Sequence, residues 1–156
     1  MQTTLRSPAS IGGRKQQGDV MSSSLQNQTA LVGRILLGVF FVMSGFEKIT
    51  GFQGTVGYIS SAGLPLASVV AVLTILVELG GGLMLILGFH ARWAAFALAA
   101  FSLAAAVLFH GYWAVPEAQR FGQYLNFWKN VTIAGGMLML AAFGPGTLSV
   151  DGRRRA

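Results

Sequence analysis

The 156-residue sequence predicts an all-α integral membrane protein, a four-transmembrane-helix antiparallel bundle with both termini on the inner side. Three observations predict it. Apolar residues make up 53% of the chain and charged residues only 10%, against roughly 25% charged in an ordinary soluble domain. The apolar residues fall into four runs, each of about 20 residues, the length that crosses roughly 30 Å of hydrocarbon at a rise of 1.5 Å per residue. The runs are continuous rather than alternating, which selects helices over a β-barrel.

The elements follow in order. Residues 1–28 are polar and irregular, with no apolar core after Arg6 or Arg14-Lys15, so they read as a disordered cytoplasmic tail rather than a secretory signal. Met1 and Met21 both fit as the start. The membrane domain covers residues 29–146. Its first span runs from about Ala30 to Ile49 and its second from about Leu66 to Gly88. Between them lies a Gly- and Ser-rich connection ending at Pro65, with room for a short interfacial helix around Gln53–Ser61. Gly88-Phe89-His90-Ala91-Arg92 is long enough only for a tight turn between antiparallel helices. The third span covers about Trp93–Trp113 and the fourth about Tyr124–Phe143, separated by Ala114–Gln123. Gly144-Pro145-Gly146 stops the last helix, and residues 147–156 form a basic cytoplasmic tail. Gly80-Gly81-Gly82 and Gly135-Gly136 would weaken soluble helices, whereas in a bilayer they permit close helix approach. The same small-residue faces suit a second copy of the chain or a partner subunit.

Charge sets the orientation. The net charge is +6, and with both termini inside, eight of the eleven Lys and Arg residues lie on the cytoplasmic side. The reverse arrangement inverts that ratio. The same placement, at span ends and in tails, argues against nucleic-acid binding. Tyr58, Tyr112, Trp113, Tyr124 and Trp128 then form an outer aromatic belt.

Ionisable groups at membrane depth are candidates for function. Glu78 lies near the middle of the second span, where an ionised carboxylate costs at least about 2.5–3.5 kcal/mol. It must face the bundle interior, protonated or paired. Asn126, Lys129 and Asn130 form one stripe at i, i+3, i+4 at the start of the fourth span. Ser44, Glu47 and Lys48 close the first span at similar depth, and His110 closes the third. The four spans therefore bring polar groups to one outer-half pocket with Glu78 as its floor. Such a set hydrogen-bonds carbonyl or hydroxyl groups and moves protons, Glu78 and His110 being the proton carriers. Lys48, Asn126, Lys129 and Asn130 are the candidates for holding a ligand head group. Arg34 and Arg92, near the inner ends, read as structural anchors or lipid contacts.

Several chemistries are excluded. With no cysteine there is no intrinsic thiol cycle, thiolate zinc site or iron–sulfur cluster. No acidic cluster offers a metal site, and no glycine fingerprint marks a nucleotide site. The two histidines, His90 and His110, are separated by 20 residues on what is essentially one helix, about 30 Å, so they cannot flank one haem.

The segments GRILLGVFFVMSGFEKITGF, GTVGYISSAGLP, VELGGGLMLILGFHARWAA and NFWKNVTIAGGMLMLAAFGPGTLSVD, in this order, resemble the DoxX family of small bacterial membrane proteins, including its CatD-like oxidoreductase branch. The resemblance runs from about Leu31 to Asp151. It implies a plasma-membrane protein and places Lys48, Glu78, Arg92 and Asn130 at the family's recurrent polar positions. It also implies a quinone-linked oxidoreductase component, with no covalent cofactor, whose electrons come from a partner subunit. Two other classes remain open: a non-catalytic scaffold subunit of a redox complex, and a small-solute or proton transporter with Glu78 as the titrating group.

Overall fold

A computed structural model describes residues 10–154, with side chains over 23–154. The described chain is all-helical. Four long helices are α1 (Ser10–Thr50), α3 (Ala67–Leu87), α4 (Ala91–Phe109) and α5 (Glu117–Phe143). Between α1 and α3 lies the short α2 (Phe52–Ser61), and α6 (Val150–Arg153) ends the described chain. Three segments, Ser23–Thr50, Ala67–Leu87 and Ala91–Ala114, are long and apolar enough to cross a membrane. α5 is longer than two of the other long helices, but Asn126, Lys129 and Asn130 dilute its apolar content.

Local chemistry explains most boundaries. α3 starts after Pro65. It ends at Gly88, whose φ of 67° caps the helix in the left-handed region, and His90 (φ 44°) turns the chain straight into α4. Pro116 stands at the N-cap of α5, and Glu117 in its first turn complements the helix dipole.

Three boundaries differ from the sequence reading. The stretch from Ser10 to Gln28, expected as irregular tail, is helical and continuous with the first span. No proline interrupts it, and extending a helix costs far less than nucleating one. The expectation for residues 1–9 lies outside the described residues. α5 begins at Glu117 rather than near Tyr124, leaving only a 3-10 turn at Tyr112–Ala114 and four further residues, His110, Gly111, Val115 and Pro116, as the connection. The C-terminal segment is not a free tail. It folds back across the bundle end and forms α6.

α1 packs along α3, α3 meets α4, and α4 packs along α5, while α1 and α5 barely touch. The α1–α3 crossing is close because it is lined by glycine: a Cβ on Gly82 would sit 2.8 Å from the Gly38 carbonyl oxygen. Phe41, Leu85, Leu98 and Met137 fill the centre, with a run of alanines on α4 (Ala91, Ala94, Ala95, Ala99) against Ala134 of α5. Large apolar side chains such as Leu36, Met43, Leu76, Phe96, Val107 and Met139 point outward. Only 22–33% of the residues in the apolar windows are buried, so hydrocarbon rather than water must solvate the rest. Tyr112, Trp113, Tyr124, Phe127 and Trp128 form one edge-to-face ring cluster at a single end of the bundle.

Candidate functional site

Helix periodicity stacks Ser44 and Lys48 one turn apart on α1, and Thr74 and Glu78 one turn apart on α3. The close α1–α3 crossing turns the two pairs toward each other. Lys48 Nζ lies 2.8 Å from Glu78 Oε2. It also donates to Glu78 Oε1 at 3.1 Å and to Ser44 Oγ at 2.7 Å. Ser44 Oγ donates to the same Glu78 Oε1 at 3.1 Å. The Glu78 side chain is 5% exposed and that of Lys48 28%. The carboxylate is therefore paired, and the pairing offsets the cost of placing it deep in the span. The ammonium keeps a path to the surface.

This pair forms part of the wall of a cavity of about 220 Å³ at the α2-covered end of the bundle. His110, Lys129 and Asn130 form the wall contributed by α4 and α5, and Phe40, Phe41, Phe101 and Phe109 supply apolar lining. α2 closes the end with Thr55, Tyr58 and Ile59. Tyr58 stacks on Phe109 with ring centroids 5.6 Å apart and donates from its hydroxyl to the Phe109 carbonyl at 3.1 Å. Because α1 and α5 barely touch, the cavity lies where the bundle is least tightly closed.

Five of the sequence candidates thus share one cavity: Lys48, Glu78, His110, Lys129 and Asn130. Asn126 does not line it. Instead its side-chain oxygen accepts from Lys129 Nζ at 2.9 Å and its backbone carbonyl accepts from Asn130 Nδ2 at 2.9 Å, so it braces the two that do. His110 Nδ1 is 2.8 Å from Gln123 Oε1. Gln123 and the α2 residues are contributors that the sequence reading missed. Gln123 lay in a presumed loop, and nothing in the α2 pattern shows which way that helix folds.

Arg34 and Arg92 are at the opposite end. Arg34 is 2% exposed and donates to the carbonyls of Pro145 and Leu148, both at 2.9 Å. Its burial removes the lipid-contact alternative and makes it a clasp for the C-terminal segment. Arg92 Nη1 donates to the carbonyls of Ala141 and Ala142 at 3.3 and 3.0 Å, capping α5. Asp151 completes the clasp, accepting at 2.9 Å from the backbone N–H of both His90 and Ala91 at the start of α4. Among the described residues, no group of three His, Cys, Asp or Glu side chains is placed to hold a metal ion.

An all-helical bundle with an outward apolar surface and a buried ion pair beside an internal cavity defines a membrane-embedded protein in contact with lipid. A family model described as DoxX matches residues 29–111, and the chain belongs to the DoxX family. It is similar to the inner membrane protein YphA of Escherichia coli K12, 38% identical over 79% of this chain and 88% of YphA. It is also similar to the inner membrane protein YqjF of the same organism, 42% identical over 81% of this chain and 92% of YqjF. A more distant similarity, 33% identity over 46% of this chain and 52% of the relative, is to the "Putative oxidoreductase CatD" of Bacillus subtilis 168. No solved structure matches the chain.

Proposed function

We propose that this protein is the membrane component of a quinone-linked oxidoreductase and that the cavity beside Lys48–Glu78 receives a quinone head group. The observation that carries the reading is the cavity's composition: a buried carboxylate–ammonium pair, further donors on His110, Lys129 and Asn130, and aromatic walls, all in one space. At about 220 Å³ it is smaller than the roughly 300–1,000 Å³ of a drug-sized pocket. It therefore takes a single ring and leaves a prenyl tail to the bilayer. Asn130 and Lys129 hydrogen-bond the ring carbonyls. Glu78 and His110 move protons, since each quinone reduced to quinol takes up two electrons and two protons. The electrons come from a donor on a partner subunit. The relation to CatD supports an oxidoreductase role, and the relation to YphA and YqjF supports placement in the bacterial inner membrane.

In this reading α5 is the fourth span, its polar stripe turned to the cavity, and the eight-to-three distribution of Lys and Arg sets both termini in the cytoplasm. The cavity then opens in the outer half of the bilayer. Binding of a short-tailed quinol analogue to the purified protein tests the site. Glu78→Gln and Asn130→Ala each weaken it by about tenfold, the worth of one lost charge-assisted or neutral hydrogen bond in a dry site; undiminished binding in both variants refutes the assignment.

A second reading, a non-catalytic scaffold subunit of a redox complex, draws on one observation. Lys48, Ser44 and Glu78 pair with one another without any ligand. It predicts that changes at the pair disturb stability and assembly while leaving quinol affinity untouched.

A further inference from the structure

At the bundle end opposite the cavity, an open groove of about 560 Å³ lies where α3 ends, α4 begins and α5 ends. Arg92, Arg154 and His90 line it, together with Trp93 and Phe143. Neither arginine has a carboxylate partner among the described residues, whose ion pairs are Lys48–Glu78 and Arg120–Glu117. Among the described residues, Arg92 is engaged through Nη1 alone, on the α5 carbonyls. Arg154 lies over the Phe89 ring, 5.3 Å from its centroid. The one acid in the groove among the described residues, Asp151, turns both oxygens onto the backbone N–H groups of His90 and Ala91. The groove is thus cationic, with guanidinium donors to spare.

Its rim is apolar in an unusual way. Trp93 is 75% exposed and Phe143 76%. Two aromatic side chains left this bare beside unpaired arginines match the boundary between headgroups and acyl chains. The groove's depth agrees, because the candidate span Ala91–Ala114 begins at its edge.

From this juxtaposition we propose that the groove is a binding site for an anionic phospholipid, its phosphate held by Arg92 and Arg154 and its acyl chains laid on Trp93 and Phe143. Arginine suits this role because its planar fork binds phosphate oxygens in pairs. The Pro145–Leu148 carbonyls that Arg34 holds keep the groove's far wall in place. The site is independent of whatever occupies the cavity at the other end.

The test uses the full chain in vesicles, with Trp113 and Trp128 replaced by Phe so that Trp93 alone fluoresces. Brominated-chain phosphatidylglycerol and brominated-chain phosphatidylcholine are compared as quenchers. Each arginine near an acidic lipid is worth about fivefold in association, so phosphatidylglycerol is favoured at Trp93 by fivefold or more. Arg154→Gln, which leaves the α5 cap intact, lowers that preference several-fold, and Arg92→Gln with Arg154→Gln abolishes it. Arg153→Gln, outside the groove, retains it. Equal quenching by the two lipids overturns the proposal. So does a preference that survives in the double variant or falls equally in Arg153→Gln, which is diffuse charge. Millimolar inorganic phosphate leaves the quenching unchanged if the ligand is a lipid. Loss of the preference under phosphate makes this a site for free phosphate and also overturns the proposal.

Discussion

Removing Lys48 and removing Glu78 should have unequal consequences, and the inequality follows from their exposures. Lys48→Met strands a carboxylate that is 5% exposed, leaving it one short donor, Ser44 Oγ at 3.1 Å. Breaking a buried ion pair by deleting one partner costs about 3–5 kcal/mol. The 28% exposure of Lys48 leaves the ammonium less confined than the carboxylate, so the lower end, about 3 kcal/mol, is expected. Glu78→Gln strands the ammonium instead, but a flexible lysine with an open path moves its charge to the interface. Its expected cost is about 1 kcal/mol, a lost charge-assisted hydrogen bond set against a retained amide one. The double variant Lys48→Met with Glu78→Gln should be more stable than the sum of the two losses, by about 1–2 kcal/mol. Reversible unfolding in mixed micelles, carried through all four members of the cycle, measures each quantity. Equal single losses, or additivity within about 0.5 kcal/mol, would refute the claim that this is a coupled, asymmetrically buried pair.

Other consequences are as direct. Gly82→Ala pushes a Cβ against the Gly38 carbonyl and separates α1 from α3, costing about 1–3 kcal/mol by overpacking. Gly80→Ala, with nothing within 4 Å of the added Cβ, should be neutral or slightly stabilising, and thermal unfolding of the two variants compares them. Asp151→Ala removes the acceptor for two N–H groups at the α4 start and should cost about 1–2 kcal/mol, read as a lowered Tm with the cavity's ligand affinity unchanged. Reporter fusions test topology: alkaline phosphatase inserted at Gly63 should be active and a fusion after the last residue inactive, and the reverse pattern contradicts the four-span, termini-inside arrangement.

The membrane-crossing helices were legible because each is a long apolar run whose solvent is lipid, a signal independent of tertiary contacts. Depth narrowed the cavity's membership without fixing it: Lys48, Glu78, His110, Lys129 and Asn130 fall in one layer when helix rise is counted from the span ends, but so do Glu47 and Asn126, which do not line the cavity. Rotation was not. Whether Lys48 points at Glu78 depends on the Gly38–Gly82 crossing, which only the packed helices reveal. Asn126 shares a helical stripe with Lys129 and Asn130, yet braces them rather than joining the cavity, because it hydrogen-bonds within α5. The C-terminal clasp was hidden for a different reason. Asp151 caps a helix that begins 60 residues earlier, and no local pattern links a distant carboxylate to those N–H groups. Arg34 looked like a surface anchor because it lies near a span end; its burial comes from the returning chain.

A quinone in the Lys48–Glu78 cavity, as proposed above, would stay with the protein through purification. Extraction of the protein in mild detergent, followed by organic extraction and an ultraviolet redox-difference spectrum, measures this most directly. Near-stoichiometric quinone is expected, with the yield reduced in Glu78→Gln and in Asn130→Ala. A quinone-free protein that purifies stably with another subunit would contradict it and move the chemistry to that subunit.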